Sequence, residues 1–237
     1  MWPETISDEQ WSVYQRVIAD SRAAGLRFAI GGGIAVGVYT DNWRVSKDID
    51  FYVLKKDREI LKRILSAAGL VDYYDQLPYD REWIYRSVKG KIIVDTIWAM
   101  ANYKNDVDDR WLTAGPEVTM RGETFRLVPP EEMIWAKLYV MQKDRTDWPD
   151  VLNILYAQRK TLNWRHLLDR LGEDAPLLYG LLTIFRWLCP NLATELPAWL
   201  WRESEKAQAM PPVALDTCRQ RADLLDRRSW FKPLMTT

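Results

Sequence analysis

The sequence predicts an α+β N-terminal domain that ends near Val128, followed by an all-α C-terminal domain. Before Val128, short β-branched and aromatic runs alternate with helical patterns; after Pro129 and Pro130, every long segment has helical period or length. The chain's 237 residues, 48% of them hydrophobic, supply enough apolar material for two packed cores. The expected domains are residues 1–128 and 129–237.

Ser7 followed three residues later by Gln10 matches a capping box, and Trp11, Tyr14, Val17 and Ile18 recur at helical spacing. A first helix therefore runs to about Ala24, where Gly25 stops it. RFAI (Arg27–Ile30) reads as a short buried strand leading into Gly31, Gly32 and Gly33, and IAVGVYT as a short second helix. DIDFYVL (Asp48–Leu54) is a strand and Asp57–Ala68 an amphipathic helix. YDREWIYRSVKGKIIVDTIWA forms two antiparallel strands around a turn at Lys89–Lys91, with Gly90 supplying the turn. TFRLV (Thr124–Val128) is a last strand. Beyond the prolines, EEMIWAKLYVMQ, DWPDVLNILYAQ, WRHLLDRL, PLLYGLLTIFRWL and VALDTCRQRADLL are helical, and no repeat of fixed period is visible.

Composition removes several function classes. Thirty-three basic residues balance 33 acidic ones, so no overall field draws the molecule to nucleic acid or an anionic membrane. His166 is the single histidine, which excludes a His-based zinc site and any mechanism needing two histidines. Cys189 and Cys218 form no CxxC and are expected as reduced thiols. No apolar run approaches the roughly 18 to 20 residues that span a bilayer. The start MWPETISDEQW lacks the features of a secretion signal, so the expectation is a cytoplasmic protein without membrane partners. No GxxxxGK[ST] exists, which excludes a P-loop.

The chemistry gathers around Asp48 and Asp50. One residue apart on a strand, they leave the same face about 7 Å apart at the Cα atoms and can converge on a cation. Asp95 interrupts an otherwise continuous apolar run, where a carboxylate is costly unless paired or metal-bound. The Gly-Gly-Gly turn lies upstream, where backbone N–H groups and a helix N-terminus can approach phosphate oxygens. Arg44, Ser46 and Lys47 immediately precede Asp48, and anionic substrate oxygens would suit them. Each feature also has a plainer reading: the wet face of a sheet for the Asp pair, a tight corner for the glycines, a structural ion pair for Arg44.

Together the pattern resembles the nucleotidyltransferase superfamily of DNA polymerase β. It is similar to the bacterial nucleotidyltransferases related to abortive-infection toxins and to antibiotic nucleotidyltransferases, whose stretch often reads GG-x-A followed by R-x-[ST]-x-D-I-D. Gly32, Gly33, Ala35, Arg44, Ser46, Asp48 and Asp50 fall on it. A second likeness lies in EEMIWAKLYVMQKDRTDWPDVLNIL, at Glu132, Lys137, Asp147 and Asp150, although Asp147 and Asp150 could instead cap a helix beside Pro149. The resemblance covers roughly residues 27 to 155, and here a third glycine replaces the more usual Ser, Thr or Leu.

The resemblance implies a small mixed β-sheet nucleotidyltransferase core with flanking helices, followed by an all-α domain. It implies metal-dependent transfer of a nucleoside monophosphate from NTP to a hydroxyl, with pyrophosphate leaving. Asp48 and Asp50 would bridge two Mg²⁺ (or Mn²⁺) ions, and Asp95 would hold the one that activates the acceptor. Gly32, Gly33, Arg44, Ser46, Lys47 and Lys137 would serve the nucleotide. The acceptor stays open between tRNA, a protein and a small molecule, as does the oligomeric state. The alternative is a catalytically silent nucleotide- or partner-binding module, such as a toxin–antitoxin component. Trp135, Trp148, Trp187, Trp199, Trp201 and Trp230 could stack on bases, although most are expected in the core. Arg219, Arg221, Arg227 and Arg228 form a local cationic strip that suits RNA or is simply a solvated helix face.

Overall fold

The computed structural model describes residues 6–207 and 211–228; Trp230 lies outside them. The chain divides into two compact units, Met1–Pro129 and Pro130–Thr237.

In the first unit, α1 (Asp8–Ala23) begins on a full capping box, with Ser7 Oγ accepting from the Gln10 amide and Gln10 Oε1 accepting from the Ser7 amide. Its buried face is Trp11, Tyr14, Val17 and Ile18. β1 (Ala29–Ile30) is shorter than the expected Arg27–Ile30 run, because only these two residues find ladder partners, Tyr52 and Phe51, before the chain turns at Gly31. α2 (Gly32–Thr40), β2 (Asp48–Tyr52) and α3 (Arg58–Ala67) follow. After them come β3 (Val71–Asp72), β4 (Ile84–Lys89) and β5 (Ile92–Ile97). α4 (Asp109–Thr113), β6 (Glu117–Met120) and β7 (Glu123–Arg126) complete the unit.

The five-stranded sheet has the order β1-β2-β5-β4-β3. It is mixed: β2 and β5 run parallel, and the other pairs are antiparallel. β5 is central, with Val94 and Thr96 fully buried, which explains its continuous apolar sequence. The β4–β5 hairpin closes through Gly90 and Lys91, and Gly90 at φ 60 supplies the left-handed position a two-residue loop requires. TFRLV does not extend this sheet. Its residues Thr124–Arg126 pair with β6 in a separate two-stranded hairpin, turned at Arg121 and Gly122, and Leu127 makes only an isolated bridge to Ile30.

The second unit is helical: α5 (Pro130–Leu138), α6 (Trp148–Gln158), α7 (Trp164–Leu171), α8 (Ala175–Leu188), α9 (Pro190–Ala193), α10 (Ala198–Ala207) and α11 (Leu215–Leu225). Leu178, Leu181, Leu182 and Phe185 form the buried face of α8, at the spacing of an amphipathic helix. Trp135 is buried, the indoles of Trp148 and Trp201 donate to the Leu138 and Ala193 carbonyls, and Trp199 carries Arg165 on its face. Trp187, by contrast, is 80% exposed. The C-terminal arginine strip is partly neutralised, since Arg219 pairs with Asp216 and Arg228 with Asp144 and Asp226. No helix among the described residues is long and apolar enough to cross a membrane.

Candidate active site

Sheet order turns three separated acidic residues into neighbours. In the parallel register of β2 and β5, Asp50 stands beside Asp95 and Asp48 beside Ile93, so the three carboxylates share one face. Adjacent strands lie about 4.8 Å apart. Two ionised carboxylates about 5 Å apart repel by roughly 3 kcal/mol at an effective dielectric near 20, so the cluster requires positive charge.

Part of that charge comes from a residue the sequence reading did not single out. On β4, Arg86 is the cross-strand partner of Asp95. Its Nε donates to Asp95 Oδ1 at 2.8 Å and its Nη2 to Asp95 Oδ2 at 2.5 Å, a bidentate pair. The same Nη2 lies 3.9 Å from Asp48 Oδ2. The Asp95 side chain is 2% exposed while that of Arg86 is 33% exposed, so the pair is capped from the solvent side by the guanidinium. Hydrogen bonding to Asp95 raises the Arg86 pKa; burial pushes the Asp95 carboxyl up while Arg86 pulls it back. The contact follows from the two-residue loop at Gly90–Lys91, which sets Arg86 opposite Asp95.

The glycine turn is built against this face. Gly32 has φ 54, and a Cβ there would fall inside the Asp50 carboxylate. The Gly31 amide donates to the Asp50 carbonyl at 3.0 Å, and a Cβ on Gly31 would overlap the Tyr52 ring. A Cβ on Gly33 would stand 3.0 Å from Ser46 Oγ. Thus the backbone of the turn lies directly on the acidic strand and on Ser46. α2 starts here with no side-chain cap, so the N–H groups of its first turn take no bond from a capping side chain.

Ser46 is half-buried and donates to the Asp48 carbonyl at 3.0 Å or to Asp48 Oδ1 at 3.2 Å, which steadies the first carboxylate. Gln10 at the start of α1 reaches the Ser46 carbonyl from its amide nitrogen at 3.4 Å. Tyr14, one helical turn on, is fully buried; its hydroxyl faces Gln10 without reaching hydrogen-bond geometry. Burial, then the charge of Asp48, raises its pKa. Arg44 and Lys47 are exposed on the loop before β2. Lys137 belongs to the second unit, where its ammonium donates to Asp147 Oδ2 at 2.7 Å and Asp150 Oδ2 at 2.8 Å.

Carboxylate oxygens are the hard donors that Mg²⁺ takes, and Asp48 with Asp50 fits such a cation in donor type and in sharing a face. Asp95 fits less well, because both its oxygens are engaged by Arg86. Among the described residues, no group of three or more His, Cys, Asp or Glu is arranged to hold a metal ion.

The sequence profile of a family described as uncharacterised nucleotidyltransferase matches residues 30–188, which spans the glycine turn, all three aspartates and the first helices of the second unit. None of the curated proteins matches the chain. Among solved structures, the crystal structure of ANT(2″)-Ia in complex with adenylyl-2″-tobramycin is similar in fold, with a TM-score of 0.51 at 17% identity over 70% of this chain and 97% of that one. The lincosamide antibiotic adenylyltransferase LnuA, lincomycin-bound, has a TM-score of 0.45 at 13% identity over 63% of this chain and 96% of its own. JHP933 from Helicobacter pylori has 0.42 at 14% identity over 93% and 90%.

Proposed function

Because the chain belongs to the family of uncharacterised nucleotidyltransferases, with the polymerase β type of fold, we propose that it transfers a nucleoside monophosphate from an NTP to a hydroxyl acceptor. The observation that carries this reading is the contact of the Gly32 backbone with the Asp50 carboxylate, because it sets a helix N-terminus suited to phosphate oxygens against residues suited to a cation. An NTP with its divalent cation needs both at once. In the reaction the acceptor oxygen bonds to the α-phosphorus, the bond from that phosphorus to the α,β-bridging oxygen breaks, and pyrophosphate leaves.

Asp48 and Asp50 would hold Mg²⁺, which when bound supplies charge neutralisation of the phosphates and polarisation of the reacting phosphoryl group. The amides of Gly32 and Gly33 donate to phosphate oxygens. Ser46 keeps Asp48 aimed, and Arg44 and Lys47 on the approach loop offer further positive charge to the triphosphate. Asp95, beside Asp50, takes the proton of the acceptor hydroxyl on a lone pair that the two Arg86 bonds leave open. Lys137 acts within its own unit, because Asp147 and Asp150 already hold its ammonium.

Incubation with α-labelled NTPs and Mg²⁺, with tRNA, protein and aminoglycoside acceptors, tests the reading by label transfer and pyrophosphate release. The expected result is transfer to one acceptor class that is lost in Asp50→Asn. Nucleotide binding with no pyrophosphate release across all acceptors would favour the silent binding module instead.

A further inference from the structure

The row that crosses the sheet from β4 to β2 reads Arg86, Asp95, Asp50, with Asp48 one step along β2. It places the Arg86 guanidinium on Asp95 and within 3.9 Å of Asp48. Both Asp95 oxygens point at the guanidinium, at 2.8 and 2.5 Å, and the remaining reach of Nη2 is toward Asp48. A guanidinium so placed does two things that a divalent cation at Asp95 would do: it balances the charge of a buried carboxylate, and it fixes where that carboxylate aims. It also repels a second cation from the same oxygens.

We propose that Arg86 stands in for a second divalent cation, so that this chain binds its NTP with a single metal ion on Asp48 and Asp50. The inference rests on the nucleotide-transfer reading above and adds to it a positioning residue and a metal count. Arg86 is held by sheet register and not by a flexible loop, since β4 and β5 pair from Ile84–Ile97 through to Lys89–Ile92. The substitution is therefore built into the fold. It ties the orientation of Asp95 to a residue on the neighbouring strand.

Native mass spectrometry of the full chain with Mn²⁺ and the α,β-methylene analogues of the four NTPs counts the ions directly. The expected counts are one Mn²⁺ per nucleotide complex in the wild type, two in Arg86→Ala, and one again in Arg86→Ala/Asp95→Asn. Arg86→Lys, which keeps the charge, should hold one. A wild-type complex with two ions, or an Arg86→Ala complex that still holds one, overturns the proposal while leaving nucleotide transfer intact. Absence of any nucleotide complex in the wild type overturns the nucleotide reading and this inference with it. Should Arg86→Ala fail to fold, the wild-type and Arg86→Lys counts decide the matter alone.

Discussion

Gly25 and Gly32 both hold a left-handed backbone, at φ 66 and φ 54, but only Gly32 has a neighbour in the way. An L-residue in that region costs roughly 1–2 kcal/mol. Gly25→Ala meets open space and should lose only that, whereas Gly32→Ala must also displace the Asp50 carboxylate. In thermal melts, both variants should drop by several degrees, since about 1 kcal/mol shifts a domain of this size by roughly 2–4 °C. Only Gly32→Ala should also lose the rise in Tm on adding NTP with Mg²⁺. Equal ligand-dependent rises in the two variants would remove the glycine turn from the nucleotide site. Asp48→Asn should lose the same increment while retaining the apo Tm or raising it, because one of three clustered negative charges is gone. An unchanged increment in that variant would sink the cation role of Asp48. The side-by-side placement of Asp48 and Asp50 on one face was legible from their spacing alone, because a strand has period two. Arg86 was not, because the contact depends on a loop length that the sequence leaves one residue uncertain, and a one-residue slip reverses the face of every partner.

Among the elements, α5 and α6 are joined by a compact ion cluster. Lys137 bonds Asp147 and Asp150, with the three side chains only 11%, 10% and 8% exposed, and Arg145 adds a bond to Asp147 Oδ1 at 3.0 Å. The cap reading of Asp147 does not hold in geometry: it occupies the N-cap position of α6 but makes no side-chain cap bond. Removing the ammonium would leave two buried carboxylates partly uncompensated, and breaking a buried pair costs about 3–5 kcal/mol. Lys137→Ala should therefore shift the urea midpoint of the second unit well below that of wild type. A loss of unfolding free energy under about 0.5 kcal/mol would mean that solvent already shields the cluster. Glu132 on the same helix is fully buried against His166, at 2.7 Å, and Arg170, at 3.2 Å. Those partners lie on α7, more than 30 positions away, beyond what helical periodicity can indicate. The same limit explains the missed strands β3 and β6, of two and four residues, which are too short to show an alternating pattern and exist because a neighbour pairs with them. The long amphipathic helices of the second unit needed no such partner to be recognised.

At the scale of the whole molecule, Asp144, Asp147, Glu195 and Asp226, all in the second unit, are carboxyls held below their usual range. Hydrogen bonds from Arg228 lower Asp144 and Asp226, and those from Arg159 and then Lys160 lower Glu195. For Asp147, burial works upward, but Lys137 and Arg145 outweigh it. In the first unit, Asp95 is shifted up, with burial as the leading cause. The signs set opposite responses to acid. A carboxyl whose folded pKa is depressed contributes stability above its unfolded value, about 3.9 for Asp and 4.3 for Glu, and loses it as pH falls through the folded value. A carboxyl whose folded pKa is raised gains nothing from ionisation and is not destabilised by protonation. Acidification below about pH 4 should therefore cost the helical unit the contribution of its buried carboxylate pair at Asp147, with the surface pairs of Asp144 and Glu195 adding little because water screens them. Calorimetric melts at pH 7 and near pH 3 test this, with limited proteolysis identifying which part opens: the lower-temperature transition at acid pH should expose sites beyond Pro130. Asp147→Asn should blunt the fall, because the variant has no proton to take up at that position. If the two pH values gave one transition of unchanged width, with cleavage spread equally over both units, the carboxylate pairs of the second unit would not be what limits its stability in acid.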